Sequence, residues 1–234
     1  RMNTRFARFV NLPELMTMFR EVADIRTADM LKLPVPRFHL ETVTAKPTAA
    51  LKAFVATLVE RAEAIRNGTV SPNEDNMLAV TNDGRKAALD MRLVDATALA
   101  DPEGKVVKCA HEVHEIWQRT AGSKCAQLVF CDLSTPKGGR EFSVYEDLRD
   151  HLVAQGLPAD EIAFIHDSET DAQKARLFRR VREGSVRVLL GSTQKMGIGT
   201  NVQRRLVALH ELDCPWRPCD VEQREGRILR QGND

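Results

Sequence analysis

The sequence contains no G-x-x-x-x-G-K-[ST] segment. Gly122-Ser123-Lys124 comes nearest but lacks the upstream glycine, so the chain brings no P-loop of its own to a nucleotide. No uninterrupted apolar run approaches the roughly eighteen residues of a membrane span, and the first residues lack the apolar core of a signal peptide. A soluble, cytoplasmic protein with no membrane partner is expected. An excess of one charge is also missing. Thirty-four Lys+Arg against 33 Asp+Glu leave +1, which excludes the global basic field that many small nucleic-acid-binding domains carry. The five cysteines are odd in number and irregularly spaced, so they read as reduced thiols and not as a disulfide framework. Cys214 and Cys219 have no second pair with which to build a zinc knuckle. His111-Glu112-Val113-His114-Glu115 fails as a zinc-protease helix, because its histidines stand at i and i+3 where that chemistry needs i and i+4. It reads as a surface or half-buried helix, and no metal site is expected.

What is present is a 234-residue chain, 43% hydrophobic and 29% charged, the size of one large domain or one domain with an appendage. Apolar residues recur at helical spacing from Leu12 to Leu31, and Pro34 and Pro36 close that segment. Arg37 to Thr44 alternates like a short strand. Pro47 opens an amphipathic helix to about Ile65, which Asn67-Gly68 ends. A polar loop and a short helical piece, Gly84 to Val94, lead to the turn Asp101-Pro102-Glu103-Gly104, the expected boundary between segments 1–104 and 105–234.

Beyond that turn the pattern is regular. Helices are expected near Lys105–Thr120, Val144–Gln155, Asp171–Glu183 and Asp220–Gln231. Strands are expected at Ala126–Cys131, Glu161–His166, Val186–Leu190 and Arg205–Leu212. Strands alternating with helices at this spacing predict an α/β fold with a parallel sheet and helices on both faces. Between Gln173 and Arg187, six basic residues (Lys174, Arg176, Arg179, Arg180, Arg182, Arg187) face one acid, Glu183. Such a run is a solvated helix face or a phosphate-contacting surface.

In a parallel α/β sheet, ligands bind beyond the carboxyl ends of the strands. Two polar segments fall there. Gly191-Ser192-Thr193-Gln194-Lys195-Met196-Gly197-Ile198-Gly199-Thr200-Asn201 has three glycines and several hydroxyls, which let backbone N–H groups approach a phosphate. Glu222 to Asn233 sets Gln223, Arg227 and Arg230 at i, i+4 and i+7, one face of a helix. That stripe is either an ion-paired amphipathic helix, with Glu222 and Glu225 as local partners, or a pair of arginines aimed at a transferring phosphoryl group. Trp117, flanked by Val113 and Ile116, reads as a core anchor. Trp216, between Pro215 and Pro218, reads as a wedge in a turn. Lys137 and Arg140 lie in a solvated loop that could meet a DNA phosphate.

Taken together, these segments resemble the C-terminal, second RecA-like domain of superfamily 2 helicases, especially Swi/Snf-like translocases. Gln127 to Asp132 is similar to motif IV, Gly191 to Asn201 to motif V, and Asp213-Cys-Pro-Trp-Arg-Pro218 to the segment joining motifs V and VI. Gln223 to Asn233 matches motif VI, Q-R-x-G-R-x-x-R-x-G-Q, with Asn233 where glutamine is usual. The order holds across roughly Ala110 to Asp234. More weakly, Leu12–Pro36 and Asn76–Val94 resemble connector and lead-in segments of large bacterial or phage helicase/methylase-type proteins. Segment 1–104 is thus expected to be an inter-lobe connector with a helical insertion.

The resemblance implies half of a motor. ATP and Mg²⁺ would be bound mainly by an N-terminal RecA-like lobe of a longer polypeptide. Arg227 and Arg230 would be the arginine-finger pair, supported by Gln223, and Gly197, Gly199 and Asn201 would line the nucleotide. Ser192, Thr193, Lys137 and Arg140 would meet the backbone of DNA, double-stranded by resemblance. An ATP-dependent helicase or translocase follows, whose present fragment alone is expected to be inactive. The alternative is a non-catalytic RecA-like module that binds nucleic acid or protein.

Overall fold

The computed structural model describes residues 10–24, 26, 30, 36–136, 142–196, 202–229 and 233. Two compact units are separated in the chain, Arg1–Val35 and Pro36–Asp234. In the first, helix α1 (Leu12–Val22) starts with Pro13 in its first turn and buries none of its residues. Among the described residues no helix is long and apolar enough to cross a membrane.

The second unit opens without regular structure from 36 to 48. The expected strand Arg37–Thr44 therefore does not form. Its apolar residues Phe38 and Leu40 stay exposed, and an alternating segment becomes a strand only when a neighbour takes up its backbone bonds. Helix α2 (Ala49–Arg66) begins with Thr48 capping the Leu51 N–H. Helix α3 (Met77–Leu89) begins with Asn76 capping Ala79. Arg61 on α2 holds both Asp75, at 2.6 Å, and Asp83 of α3, at 2.9 Å. A 3-10 turn (Met91–Leu93) follows.

Four strands and their helices then alternate: α4 (Lys105–Arg119), β1 (Ala126–Phe130), α5 (Val144–Ala154), β2 (Ile162–Phe164), α6 (Asp171–Glu183), β3 (Val188–Gly191), α7 (Thr193–Met196), β4 (Leu206–Glu211) and α8 (Pro218–Glu225). The sheet is parallel throughout, in the order β2-β3-β1-β4. Parallel pairing forces each connection to cross a face, so the residues of the central strands β1 and β3 are buried on both sides, while the edge strand β4 is partly exposed. Alternate residues divide between two cores. Val129, Cys131, Val188, Leu190, Ile162 and Phe164 meet α4 and α5. Ala126, Leu128, Phe130 and Leu189 meet α6 and Met196. A bulge breaks the β1–β4 register between Ala126 and Gln127, which is why Leu206 and Leu209, an odd step apart, pack on the same core.

The basic run at 173–187 does not act as one unit. Thr170 and Gln173 form a reciprocal capping box at the start of α6, and Gly184 ends it in the left-handed conformation. Arg176, Arg179 and Arg180 are exposed. Arg187 instead turns inward, 3% exposed, and donates to Cys125 O, Trp117 O and Thr120 Oγ1. Trp117 completes that corner, half-buried, with its Nε1 donating to Glu161 at 2.7 Å and its ring beneath the Arg187 guanidinium.

Candidate functional site

The carboxyl ends of β1, β3 and β4 meet at one arginine. Arg224, on α8, has a side chain that is 0% exposed. Its Nε donates to Thr193 Oγ1 at 2.8 Å, its Nη1 to Asp213 O at 2.8 Å, and its Nη2 to Asp132 Oδ2 at 2.8 Å and Asp213 Oδ1 at 2.9 Å. Asp132, two residues past β1, accepts in addition from the Thr193 backbone N–H at 2.6 Å and its hydroxyl at 2.8 Å. Asp213, two residues past β4, takes the backbone N–H groups of Asp132 and Leu133 at 2.5 and 2.8 Å. A planar fork with donors on three sides is the one side chain that can join these points at once. The Phe130 ring lies 5.2 Å from the guanidinium carbon.

Burial alone would lower the pKa of Arg224, but the adjacent Asp213 and Asp132 outweigh it and the value is raised. The guanidinium thus stays charged. Glu211, exposed at the end of β4, has its pKa raised by partial desolvation, against the opposing pull of Arg224 and with help from Glu225, Asp213 and Asp132. Beside them Tyr145 donates its hydroxyl to Cys131 O, and burial raises its pKa.

The motif V residues are positioned tightly. Gly191 ends β3 where a Cβ would fall 2.5 Å from Met196 Cγ and 2.6 Å from Ile165 Cγ2. Ser192 is buried, and its Oγ accepts from the Lys195 N–H at 3.3 Å. The Thr193 hydroxyl both donates to Asp132 and accepts from Arg224, so it is committed inside the network. Gly197, Gly199, Asn201, Lys137, Arg140 and Arg230 lie outside the described residues.

The stripe expected from Gln223, Arg227 and Arg230 needed one helix to about Gln231, whereas α8 ends at Glu225. From there the chain tightens: the Arg227 and Ile228 N–H groups reach back three residues, to Arg224 O at 2.9 Å and Glu225 O at 3.0 Å. Gly226 sits at the change, and glycine is a poor helix former. Gln223 is exposed on α8, while Arg227, past its end, is 5% exposed. The residue between them, Arg224, was absent from the sequence-derived site, as were Asp132 and Asp213. The signal for it is faint: Val221 and Arg224 stand at i and i+3 on α8, but the aspartates that hold Arg224 lie 11 and 92 residues away.

A parallel sheet covered on both faces, with a charged network beyond its strand ends, defines an α/β lobe with a binding face at that edge. The helicase conserved C-terminal domain matches residues 111–232, more than half of the chain, and the chain belongs to that family. Two solved structures are similar to it. The DUF1998 helicase MrfA bound to DNA is 18% identical with a TM-score of 0.37, over 52% of this chain and 16% of that one. The Pyrococcus furiosus Hef helicase domain is 18% identical with a TM-score of 0.37, over 76% of this chain and 32% of that one. The chain thus spans less than a third of the length of either. No curated protein matches it.

Proposed function

We propose that this chain is the C-terminal RecA-like lobe of an ATP-dependent DNA helicase or translocase of Swi/Snf-like type, working with an N-terminal lobe of the same polypeptide. Residues 105–234 would be the lobe and 1–104 the connector and insertion. The first lobe would hold ATP and Mg²⁺, and this one would complete the site with Arg227 and Arg230, supported by Gln223. A guanidinium stabilises the charge that develops on a transferring phosphoryl group and is worth roughly 10³–10⁵ in rate. Gly197, Gly199 and Asn201 would border the nucleotide.

The observation that carries this reading is the Arg224 network. It draws the segments that resemble motifs IV, V and VI into a single connected unit at the edge where such lobes bind ligands. Arg224 itself is committed to Thr193, Asp132 and Asp213, so a polyphosphate would be met by Arg227 and Arg230, always-charged forks suited to it. DNA would be met through Lys137 and Arg140, while Ser192, which is buried, and Thr193, whose hydroxyl is held by Asp132 and Arg224, would shape the loop without reaching the backbone with their hydroxyls. Contacts to phosphates predict low sequence specificity and steep salt dependence.

The test is DNA-stimulated ATP turnover by the polypeptide that joins this chain to its P-loop lobe, with and without Arg230→Ala. Turnover should rise with duplex DNA and fall at least about a thousandfold in the variant. Unchanged turnover in the variant would leave the non-catalytic module as the better reading.

A further inference from the structure

We propose that Arg85 is a positioning residue for the arginine-bearing segment, tying helix α3 to the loop between β4 and α8. The inference rests on the reading of Arg227 and Arg230 as phosphate-facing groups and extends it, giving the helical segment before the lobe a part in the site. Arg85 Nη2 donates to Cys214 O at 2.5 Å, across 129 residues of sequence. Its guanidinium carbon lies 4.9 Å from the centroid of the Trp216 ring. One side chain therefore grips the loop at two successive points, a main-chain carbonyl and an aromatic face, which fixes both where the loop lies and how it is turned.

The grip lies one residue from the network. Cys214 follows Asp213, whose carboxylate receives Arg224 and the N–H groups of Asp132 and Leu133. On the far side of the loop, Arg217 forms a two-point pair with Asp220 in the first turn of α8, at 3.0 and 2.9 Å. A shift at Cys214 is thus passed to Asp213 and Arg224 in one direction and to the start of α8 in the other. The base of the clamp is itself fixed. Asp83 of α3 is held by Arg61, and Leu89 at the end of α3 is in the sheet core.

Such a contact contributes little to folding. The Arg85–Cys214 bond is exposed, Trp216 is 55% exposed, and surface hydrogen bonds and cation–π pairs are worth little in water. Geometry is where it matters, since a misplacement of about 1 Å at a catalytic group can cost on the order of 10²-fold in rate.

Two measurements test the proposal. The chain has two tryptophans, so in a Trp117→Phe background the emission of the chain reports Trp216 alone. Arg85→Ala should make it markedly more open to acrylamide quenching without moving the thermal midpoint. In the polypeptide that carries both lobes, Arg85→Ala should lower kcat for DNA-stimulated ATP turnover by roughly 5–20-fold with KM for ATP nearly unchanged. Trp216→Ala should do the same, Trp216→Phe should restore most of the rate, and the Arg85→Ala/Trp216→Ala double variant should be no worse than either single one. Unchanged quenching and turnover in Arg85→Ala, with Arg227→Ala silent, would overturn the clamp and leave the ATPase reading standing. Turnover that survives Arg227→Ala would sink the reading of Arg227 as a phosphate-facing group, and with it the role given to the clamp. A fall in turnover matched by a fall in thermal midpoint would make Arg85 a stability residue and end the proposal.

Discussion

Arg224, itself shut off from water, carries a positive charge between the buried Asp213 and the partly exposed Asp132, so its charge and that of Asp213 stand or fall together. Removing the guanidinium leaves Asp213, 1% exposed at its side chain, without a counter-ion. Arg224→Ala should therefore cost about 3–5 kcal/mol, the range for breaking a buried pair, read as a lower urea midpoint. Arg224→Lys should recover less than half of it, because a single ammonium cannot reach Thr193, Asp132 and both the main-chain carbonyl and the carboxylate of Asp213. An unchanged midpoint in Arg224→Ala would contradict the network as drawn. His210 makes a different prediction. Its Nε2 faces Gln127 Oε1 at 2.9 Å, and burial pushes its pKa down to about 4 from 6.5. Above pH 6.5 it is neutral in both folded and unfolded chains and contributes no pH dependence. From 6.5 down to 4 the unfolded chain binds a proton that the folded chain refuses, so stability falls with pH, by at most about 3 kcal/mol. The difference in urea midpoint between the wild type and His210→Gln, followed from pH 7 to 4.5, should isolate that slope. Equal slopes would mean that His210 is not the group responsible. At this scale the sequence was only half legible. Thr193 could be singled out from its loop, whereas a buried arginine flanked by Gln223, Glu225 and Arg227 looks like any other charge on a polar helix until its aspartates arrive from 11 and 92 residues away.

Elements were legible wherever burial leaves a periodic trace. The Asp171–Glu183 helix carries its own start and stop, a capping box and a glycine in the left-handed conformation, and the strands read as apolar runs because both of their faces are covered. The last helix was not legible to its end. Motif-like spacing from Gln223 to Arg230 fits a helix in register and outweighs the one local sign against it, Gly226, after which the Arg227 and Ile228 N–H groups reach back only three residues. The junction of β3 with α7 yields a prediction at this scale. Gly191→Ala would drive a methyl group into both Met196 and the β-branched Ile165. Overpacking of this kind costs about 1–3 kcal/mol. Shortening Met196 in the same chain should return only part of that loss, since Ile165 cannot withdraw. Thermal denaturation of the single and double variants reads it, and full recovery in the double variant would place all of the strain on Met196.

For the whole molecule, the question is where the folding unit begins. The turn at 101–104 looks like a boundary in sequence, yet the core of the lobe continues past it. Leu89 is buried in the same cluster as Val106, Cys109, Ala110 and Val113, and Leu93 packs against them. Arg92 adds two hydrogen bonds to Asp147 of α5, at 3.1 and 2.8 Å, and its guanidinium carbon lies 3.9 Å from the Phe142 ring centroid. All these groups are at least partly shielded, so the junction does more than a surface contact could. Cutting the chain at 105 would expose the α4 side of that cluster and leave the partly buried Asp147 without Arg92. A chain of residues 105–234 should therefore unfold at a clearly lower urea concentration than the whole. Arg92→Ala in the intact chain should reproduce part of the deficit, about 1–3 kcal/mol. In the intact chain, tryptophan fluorescence and far-ultraviolet circular dichroism should report one coincident transition for the second unit, as for a single cooperative domain. Equal midpoints for the cut and whole chains would instead make everything before residue 105 an appendage. The coupling of α3 to the loop before α8 would then have to work through Arg85 alone, without a rigid base behind it.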